Sequence, residues 1–299
     1  MLTHLNNKEV PPKRVVVIGA NGFVGGAITD LLVAHGVECL PLGRAEVDLL
    51  DQNAAQALAD YLRPGDSVVA VSAIAPAKNF DMVIDNLKLT QAMVQALTDR
   101  GDDVVHVVNI SSDAVFADEP TPLHEGSPKA PDSYHGVMHL AREICFQTDI
   151  DQPLAILRPT LIYGAADPHN GYGPNRFRRL AAEGDPIVLF GNGEEQRDHI
   201  LVDDVAEICR RVVCRQSTGS LNLASGEVVS FMEIAKIISE MADQDVPIIQ
   251  TERTGPMPHN GYRPFDVSAC RAAFPDFSPC PVREGLKRVD ELCRKQGES

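Results

Sequence analysis

Short apolar runs alternate with amphipathic segments through residues 14–160. Runs of this length fit buried strands, and the segments between them repeat their apolar positions at the helical period. This alternation predicts βαβ units around a parallel sheet. The predicted strands are residues 14–18, 37–42, 67–71, 104–110 and 154–157. The first two helical stripes are formed by Val24, Ala27, Ile28, Leu31 and Leu32, and by Val83, Leu87, Thr90, Val94 and Leu97.

After Pro159 the pattern loosens, and Gly and Pro are concentrated between residues 164 and 193. Strands are predicted at residues 200–202, 221–224 and near 246–250, helices at 203–211 and 231–241, and a last helix ending near Lys295. These elements predict an α/β protein with a doubly wound parallel sheet and a smaller C-terminal α/β lobe for substrate. We expect the sheet domain to comprise residues 12–168 and 196–224, and the lobe residues 169–195 and 225–299.

The composition of the chain argues against several classes of function. The 299-residue chain is 44% hydrophobic with a net charge of -15, which suits a large core but gives no basic surface for nucleic acid. Its seven cysteines include no C-x-x-C pair, as expected in a reducing cytosol. The first ten residues hold no apolar signal core, and no stretch approaches the ~20 apolar residues that span a bilayer. We therefore expect a cytoplasmic protein that binds neither nucleic acid nor membranes.

The strongest motif is the glycine-rich turn Gly19-Ala20-Asn21-Gly22-Phe23-Val24-Gly25, which follows the first predicted strand and opens the first helix. In this context the first glycine permits a tight turn, the second lets the backbone approach a pyrophosphate, and the third lets helix and strand pack closely. The amides at the helix N-terminus are then free to bind phosphate. The turn predicts a Rossmann-type fold that binds a dinucleotide, with every residue of the turn except Ala20 as a cofactor contact.

The end of the second predicted strand bears on the choice of dinucleotide. It reads Leu42-Gly43-Arg44, without the acid that NAD-binding folds use for the ribose diol. Arg44 is placed to pair with a 2′-phosphate instead, so NADP is the favoured cofactor and NAD the alternative. Asp48 and Leu49 are placed to contact adenine, although an acidic turn explains them equally well.

Further stretches form a recognisable set over nearly the whole chain. They are Asp48-Leu49, Asn86, Asn109-Ile110-Ser111-Ser112-Asp113-Ala114-Val115-Phe116, Arg158-Pro159-Thr160-Leu161-Ile162-Tyr163-Gly164 and Arg197-Asp198-His199-Ile200-Leu201-Val202-Asp203-Asp204-Val205-Ala206. Together with the glycine turn, this set resembles the extended short-chain dehydrogenase/reductase family, in its branch of nucleotide-sugar epimerases, dehydratases and reductases. The resemblance implies an NAD(P)-dependent enzyme that acts on a nucleotide-linked sugar. It also implies cofactor contacts at Ala73, Ile74, Ala75, Asn86, Ile110, Pro159 and Thr160.

In that family the residue matching Ser112 hydrogen-bonds the reacting sugar oxygen, while a Tyr-x-x-x-Lys pair acts as the acid/base. This chain lacks the pair, and residues 131–143 can be aligned in two registers. One reads Tyr134-x-x-x-Met138. The other reads His135-x-x-x-His139. The second register is favoured, because it also matches the family's proline, glycine and glutamate with Pro131, Gly136 and Glu143.

The histidine register is chemically workable. A phenol with a pKa of about 10 needs a neighbouring cation to act as a base at neutral pH, whereas imidazole, with a pKa of about 6.5, does not. We expect His135 to transfer the proton, with His139 one helical turn on and Tyr134 in reserve. One alternative is a metal-assisted variant, since the two histidines have a metal-ligand spacing, although no third ligand is evident nearby. The other is a catalytically degenerate protein that only binds or senses the dinucleotide.

The resemblance also places the substrate. Residues 169–179, Arg197 and Arg263 occupy positions at which related proteins hold a nucleotide diphosphate, and guanidinium groups grip phosphate oxygens bidentately. Arg178 is a weaker candidate than Arg197 or Arg263. The expected substrate contacts are Ser111, Tyr163, Asn175, Arg197 and Arg263. By analogy with related enzymes, we expect a homodimer formed through a helix pair that includes residues 133–147.

The implied reaction is hydride transfer between a nicotinamide and a sugar carbon, with Ser112 polarising the oxygen. Dehydratases of the family carry Asp-Glu after the serine, whereas here Ser112 is followed by Asp113-Ala114, which disfavours dehydration. Epimerisation and net reduction begin in the same way, and the residues do not separate them.

Overall fold

A computed structural model describes residues 1–297. Its strands are β1 (Leu2–His4), β2 (Arg14–Ile18), β3 (Cys39–Leu42), β4 (Asp66–Ala70), β5 (Val104–Ile110), β6 (Leu154–Pro159), β7 (Leu161–Tyr163), β8 (Ile187–Phe190), β9 (Gln196–Leu201), β10 (Ser217–Leu223), β11 (Val228–Ser230), β12 (Ile248–Thr251) and β13 (Tyr262–Arg263). Its α-helices are α1 (Phe23–Ala34), α2 (Ala54–Ala59), α3 (Phe80–Asp99), α4 (Tyr134–Asp149), α5 (Pro174–Glu183), α6 (Val202–Cys214), α7 (Phe231–Met241), α8 (Ser268–Ala273) and α9 (Val282–Gln296).

The central sheet has seven strands in the order β1-β10-β6-β5-β4-β2-β3. Strand β1 is antiparallel to β10, and the other strands run parallel. From β2 the chain first moves to β3 on one side and then crosses to β4 on the other. Such a switch opens a crevice at the carboxyl ends of the strands, where open α/β sheets bind ligands. The predicted Rossmann-type doubly wound sheet is confirmed.

Helices cover both faces of this sheet. Ile28 of α1 and Val205 of α6 belong to the core on one face, and Met93 of α3 and Phe146 of α4 to the core on the other. Because both faces are covered, β2 and β4 are buried along their whole length. This burial explains why the central strands read as continuous apolar runs in the sequence.

The residues of the predicted lobe share a second core and small sheets with strands β7 and β9, which fall within the predicted bounds of the sheet domain. Strand β9 pairs with β7, β11 and β13, and β8 pairs with β12. Helices α5, α7 and α9 pack around them and contribute Phe177, Ile234 and Leu286 to a buried cluster. Strand β7 follows β6 along the chain and β9 leads into α6, so these two strands connect the small sheets to the sheet domain.

Several predicted bounds agree with the structure, and the disagreements have local causes. Residues 14–18, 104–110 and 231–241 form the predicted elements with those bounds. The strand predicted at residues 200–202 begins earlier, at Gln196, and Val202 already belongs to α6. Strands β1, β7, β11 and β13 were not predicted, because each has three residues or fewer and depends on pairing with a distant strand. Within residues 1–297 no helix is both long and apolar enough to cross a membrane.

Candidate functional site

The main cavity lies at the carboxyl ends of β2, β4, β5 and β6 and extends to α5 and β9. Its volume of about 1060 Å³ leaves room for more than one small ligand. Among the predicted site residues, it is lined by Gly19, Gly22, Phe23, Val24, Gly25, Arg44, Asp48, Leu49, Ala73, Ile74, Ala75, Ile110, Ser111, Ser112, His135, His139, Pro159, Thr160, Asn175 and Arg197. It is not lined by Asn21, Asn86, Tyr134, Tyr163 or Arg263. The roles of these residues stay predictions.

The glycine-rich turn forms one end of the main cavity. Gly19 has a φ of +97°, and a Cβ on it would lie 2.7 Å from the amide nitrogen of Ser72. A Cβ on Gly25 would lie 2.1 Å from the carbonyl oxygen of Gly19. Helix α1 begins at Phe23 with no side-chain cap and no acidic residue in its first turn, so its amides remain available to an anion. This end of the cavity therefore fits the pyrophosphate of a dinucleotide.

Arg44 and Asp48 line the cavity after β3. The Arg44 side chain is 79% exposed, and its guanidinium binds the Asp48 carboxylate at 3.1 Å. The backbone amide of Leu50, and then Arg44, lower the pKa of Asp48. An ion pair this exposed is weak, so Arg44 can exchange its carboxylate partner for a phosphate.

Asn86 acts from behind the cavity wall. Its Oδ1 accepts a hydrogen bond from the Ile74 amide at 2.9 Å, and its Nδ2 donates to the Ile74 carbonyl at 3.0 Å and to the Met82 carbonyl at 2.7 Å. Asn86 thus fixes the backbone of Ile74, which lines the cavity beside Ala73 and Ala75.

The two serines after β5 have different surroundings. Ser111 Oγ donates to Glu143 at 2.6 Å, and Arg158 holds the same carboxylate at 2.7 and 2.9 Å. Ser112 Oγ accepts from the amide of Ala114 at 3.1 Å and makes only a long contact of 3.3 Å with Asp113. The Ser112 hydroxyl can therefore turn its proton towards a ligand more easily than Ser111 can.

Helix α4 begins beside this serine loop. Ser133 Oγ accepts from the amide of Gly136 at 3.1 Å and caps the helix, so that Tyr134 is its first residue. A Cβ on Gly136 would lie 2.2 Å from the carbonyl oxygen of Ala114, so the glycine permits the close approach of helix and loop.

The side chains of the first turns of α4 then diverge. His135 and His139 line the main cavity, whereas Tyr134 is 49% exposed and does not line it. The structure therefore brings the two histidines, and not the tyrosine, to the cavity that Ser112 lines.

The surroundings of His135 and His139 favour their neutral forms. Their rings meet edge to face, with the centroids 4.6 Å apart. Burial is the largest cause that lowers the pKa of both; Asp113 opposes it at His135, whereas His135 and Arg142 reinforce it at His139. Across residues 1–297, neither Nδ1 atom finds a hydrogen-bond partner. A neutral imidazole in this setting can accept a proton from a ligand.

On the substrate side, Asn175 and Arg197 reach the cavity. Asn175 Oδ1 accepts from the Gly164 amide at 3.1 Å, and the Arg197 guanidinium contacts Glu195 at 3.3 Å. Tyr163 does not reach it: the ring is buried, and burial raises the pKa of its hydroxyl.

Arg263 is bound within the protein. Its guanidinium donates to the Asp113 carboxylate at 3.3 Å, to the Asp113 carbonyl at 3.0 Å and to Asp118. His259 also pairs with Asp118, at 2.6 Å. Arg263 therefore holds the serine loop in place and has few donors left for a phosphate.

Sequence reasoning gave no role to His199, His259 or Arg142, and each bears on the site. His199 and His259 line the main cavity. His199 lies inside the motif that begins at Arg197, which was the one available signal. Arg142 is buried behind the cavity and binds backbone oxygens of distant strands, which no local pattern reveals.

The structure also bears on the metal-assisted alternative. Among the residues that it describes, no group of three or more His, Cys, Asp and Glu side chains is placed to hold a metal ion. Within that part of the chain, His135 and His139 have no third ligand placed to complete a site of the usual zinc type.

The chain is similar to known proteins in sequence and in fold. Residues 15–224 match the sequence model of the NAD dependent epimerase/dehydratase family. A dTDP-4-dehydro-6-deoxy-D-allose reductase of Streptomyces bikiniensis is 26% identical, over 93% of this chain and 95% of the relative. A UDP-glucose 4-epimerase of Mycolicibacterium smegmatis is 27% identical, over 95% of this chain and 100% of the relative.

Among solved structures, a GDP-L-fucose synthetase from Naegleria fowleri bound to NADP superposes with a TM-score of 0.82. The match covers 99% of this chain and 98% of the other, at 16% sequence identity. At that identity the likeness shows the fold alone.

Proposed function

Since the chain belongs to the NAD dependent epimerase/dehydratase family, we propose that it transfers hydride between a nicotinamide dinucleotide and a sugar carbon of a nucleotide-linked sugar. One observation carries the proposal: Ser112 and His135 line the same cavity as the glycine-rich turn. A hydrogen-bond donor, a proton acceptor and a dinucleotide-binding turn are the parts that such a reaction needs from the protein.

The proposed chemistry assigns each side chain one task. The bound nicotinamide supplies the hydride acceptor or donor. Ser112 donates its hydroxyl proton to the reacting sugar oxygen as a hydrogen bond. His135 takes the proton from that oxygen when the sugar is oxidised and returns it when the sugar is reduced. His139 remains neutral beside it, and Tyr134 has no part in proton transfer because it does not line the cavity.

NADP is the dinucleotide that we propose. Arg44 lines the cavity with a largely exposed guanidinium, and its ion-pair partner Asp48 is itself half-exposed. A 2′-phosphate carries more charge than that carboxylate and offers bidentate acceptors. Solved structures with this fold hold either NADP or NAD, so NAD is the alternative.

The substrate proposal rests on the other half of the cavity. Asn175 and Arg197 line it and supply an amide and a cation for a diphosphate. Asn175 belongs to the predicted lobe, residues 169–195 and 225–299. We propose that this lobe holds the nucleotide. The relatives include a reductase and an epimerase, so net reduction and epimerisation are both proposed outcomes.

A homodimer is proposed through α3 and α4. These helices pack against each other and leave Phe80 62% exposed and Ile144 53% exposed, with Ile84, Leu87 and Val137 also on the surface. Apolar side chains gathered on a helix pair mark a protein interface.

The experiment is a panel of nucleotide sugars offered to purified protein with NADP, NADPH, NAD or NADH. Nicotinamide absorbance follows net oxidation or reduction, and product chromatography detects an epimer when absorbance does not change. The proposal expects turnover with at least one nucleotide sugar. If the protein binds dinucleotide but neither converts nor binds any nucleotide sugar, it is the degenerate dinucleotide-binding protein instead.

A further inference from the structure

His259 lines the main cavity, and the proposed reaction gives it no part. It lies in the short turn Pro258–Gly261, directly before β13, and shares the cavity wall with Arg197 and Asp118. Its Nδ1 lies 2.6 Å from Asp118 Oδ1. The side chain is 27% exposed, so one side of the ring is held by the protein while part of it stays accessible.

Two arginines stand beside this pair. Strand β13 pairs with β9 so that Arg263 lies opposite Arg197, which places the two side chains on one face of the sheet. Arg263 Nη1 lies 3.0 Å from His259 Nδ1, and Arg263 is itself bound by the carboxylates of Asp113 and Asp118. Of the three basic side chains, His259 and Arg197 line the cavity, and Arg263 does not.

The contacts at Nδ1 determine which ring nitrogen a ligand can use. A carboxylate only accepts hydrogen bonds, and a guanidinium only donates them. The contact with Asp118 is the shorter one, and Arg263 has carboxylates of its own to bind, so Nδ1 carries a proton and donates it to Asp118. Within residues 1–297, both side-chain contacts of His259 are at Nδ1, which leaves Nε2 for a ligand. Nε2 has a lone pair when the ring is neutral and an N–H when it is charged.

The surrounding charges favour the neutral ring before a ligand binds. Burial, then Arg197 and Arg263, lower the pKa of His259, and Asp118 opposes them by its hydrogen bond and its charge. These groups come from β9, from β13 and from the loop after β5. An anion close to Nε2 would shift the balance to the charged ring, because an opposite charge within ~4–6 Å stabilises the charged form.

We propose that His259 is a contact for the diphosphate of the substrate: Asp118 holds the ring by Nδ1, and Nε2 takes a proton from solvent as the anion binds and donates a hydrogen bond to a phosphate oxygen. The inference rests on the proposed nucleotide-sugar substrate. It gives His259 the contact that the sequence predicted for Arg263, with Arg197 as the second cation. Because the proton is taken up with the ligand, affinity is expected to rise on acidification from alkaline pH.

The test measures proton uptake on binding, by calorimetry in two buffers of different ionisation enthalpy. The probes are UDP-glucose, dTDP-glucose and GDP-mannose, offered to protein saturated with NADPH, or with NADH if that binds more tightly. The reduced dinucleotide cannot take hydride from these sugars, so binding is observed without turnover. Their diphosphate is a diester with no group that titrates near neutral pH, so the proton goes to the protein. The tightest probe is expected to bring about half a proton at pH 7, since an anion raises the pKa of a neighbouring imidazole.

Three variants separate the contributions. His259→Gln is expected to bind the same probe about tenfold more weakly and to lose the uptake. His259→Lys carries a permanent charge and is expected to bind within about threefold of wild type, also without uptake. The matched control is His35→Gln, at an exposed histidine that ends α1, and it is expected to behave as wild type. All three are expected to keep the wild-type affinity for NADPH.

Several results would overturn the proposal. Uptake that persists in His259→Gln would show that another histidine of the cavity is protonated instead. Unchanged probe affinity in His259→Gln, or an equal loss of NADPH affinity, would show that the ring does not face the substrate. Binding by His259→Lys as weak as that of His259→Gln would show that the charge of the ring is not what holds the ligand.

The outcome is separable from that of the proposed function. Turnover of a nucleotide sugar together with uptake that does not depend on His259 keeps the function and overturns the inference. If none of the three probes binds, inorganic pyrophosphate is titrated into the same NADPH complex. A tenfold loss of its affinity in His259→Gln keeps the anion contact, and the nucleotide-sugar panel alone then decides the proposed function. Pyrophosphate binding that is independent of His259, or no binding, overturns the inference.

Discussion

Tyr134 and His135 are consecutive residues in the first turn of α4, and only His135 lines the main cavity. The cap at Ser133 and the contact of Gly136 with Ala114 fix the rotation of this turn. The register that aligns two histidines with the family's tyrosine and lysine is therefore the one that this geometry supports.

The first prediction compares these two neighbours. His135→Phe is expected to lower kcat by at least about a hundredfold, because proton transfer by a positioned group contributes roughly 10²–10⁴-fold. Tyr134→Phe is expected to leave kcat within about twofold of wild type. Steady-state kinetics with the best nucleotide sugar would measure both. Loss of activity in Tyr134→Phe together with full activity in His135→Phe would reverse the assignment.

The second prediction concerns the pH dependence of sugar oxidation. His135 must be neutral to accept a proton, and burial lowers its pKa. Acidification through that pKa is therefore expected to reduce kcat/KM, with the midpoint below about 6.5 and a plateau through neutral pH. For sugar reduction, kcat/KM is instead expected to rise on acidification through that pKa, because protonated His135 is the reactive form. If a tyrosine were the base, kcat/KM for sugar oxidation would still be rising with pH well above neutral pH. Such a profile would refute the assignment of His135.

The sequence predicted those parts of the site that are formed by residues close together in the chain. The spacing of Gly19, Gly22 and Gly25 predicts a turn, and close contacts exclude a side chain at Gly19 and at Gly25. Arg263 shows the opposite case. A guanidinium suits a phosphate and a carboxylate equally, and only the folded chain reveals that Asp113 and Asp118 already bind it.

The third prediction tests the choice of dinucleotide. Arg44→Ala is expected to weaken NADP binding about tenfold and to leave NAD binding nearly unchanged, because only NADP carries the 2′-phosphate. Asp48→Asn frees Arg44 from its ion pair and is expected to favour NADP further. Calorimetric titration of both dinucleotides would measure the ratio. Equal losses for NAD and NADP in Arg44→Ala would contradict the proposed contact, and Arg271→Ala, at an exposed position on α8, serves as the charge-matched control.

The fourth prediction addresses the helix pair α3 and α4. Ile144→Asp places a charge in the proposed interface and is expected to shift the protein from dimer to monomer in sedimentation equilibrium. Val33→Asp, at a similarly exposed apolar position on α1, is the control and is expected to remain dimeric. A monomeric wild-type protein, or the same dissociation in both variants, would exclude this interface.

The last prediction uses two adjacent glycines in α1. A Cβ on Gly25 would lie 2.1 Å from the Gly19 carbonyl oxygen, whereas a Cβ on Gly26 would lie 3.4 Å from the Ala20 carbonyl oxygen, an ordinary contact. Gly25→Ala is therefore expected to destabilise the protein by about 2–3 kcal/mol, because backbone must move to admit the methyl group. Gly26→Ala is expected to be neutral or to stabilise it by up to ~1 kcal/mol, since alanine is the better helix former.

Urea unfolding and dinucleotide titration of both variants would separate packing from cofactor binding. Gly25→Ala also displaces the turn that faces the proposed pyrophosphate, so its dinucleotide affinity is expected to fall more than tenfold, while that of Gly26→Ala stays near wild type. Wild-type stability and affinity in Gly25→Ala would show that the helix can withdraw from β2 at little cost. The close approach of α1 to the turn would then not be what shapes the dinucleotide site.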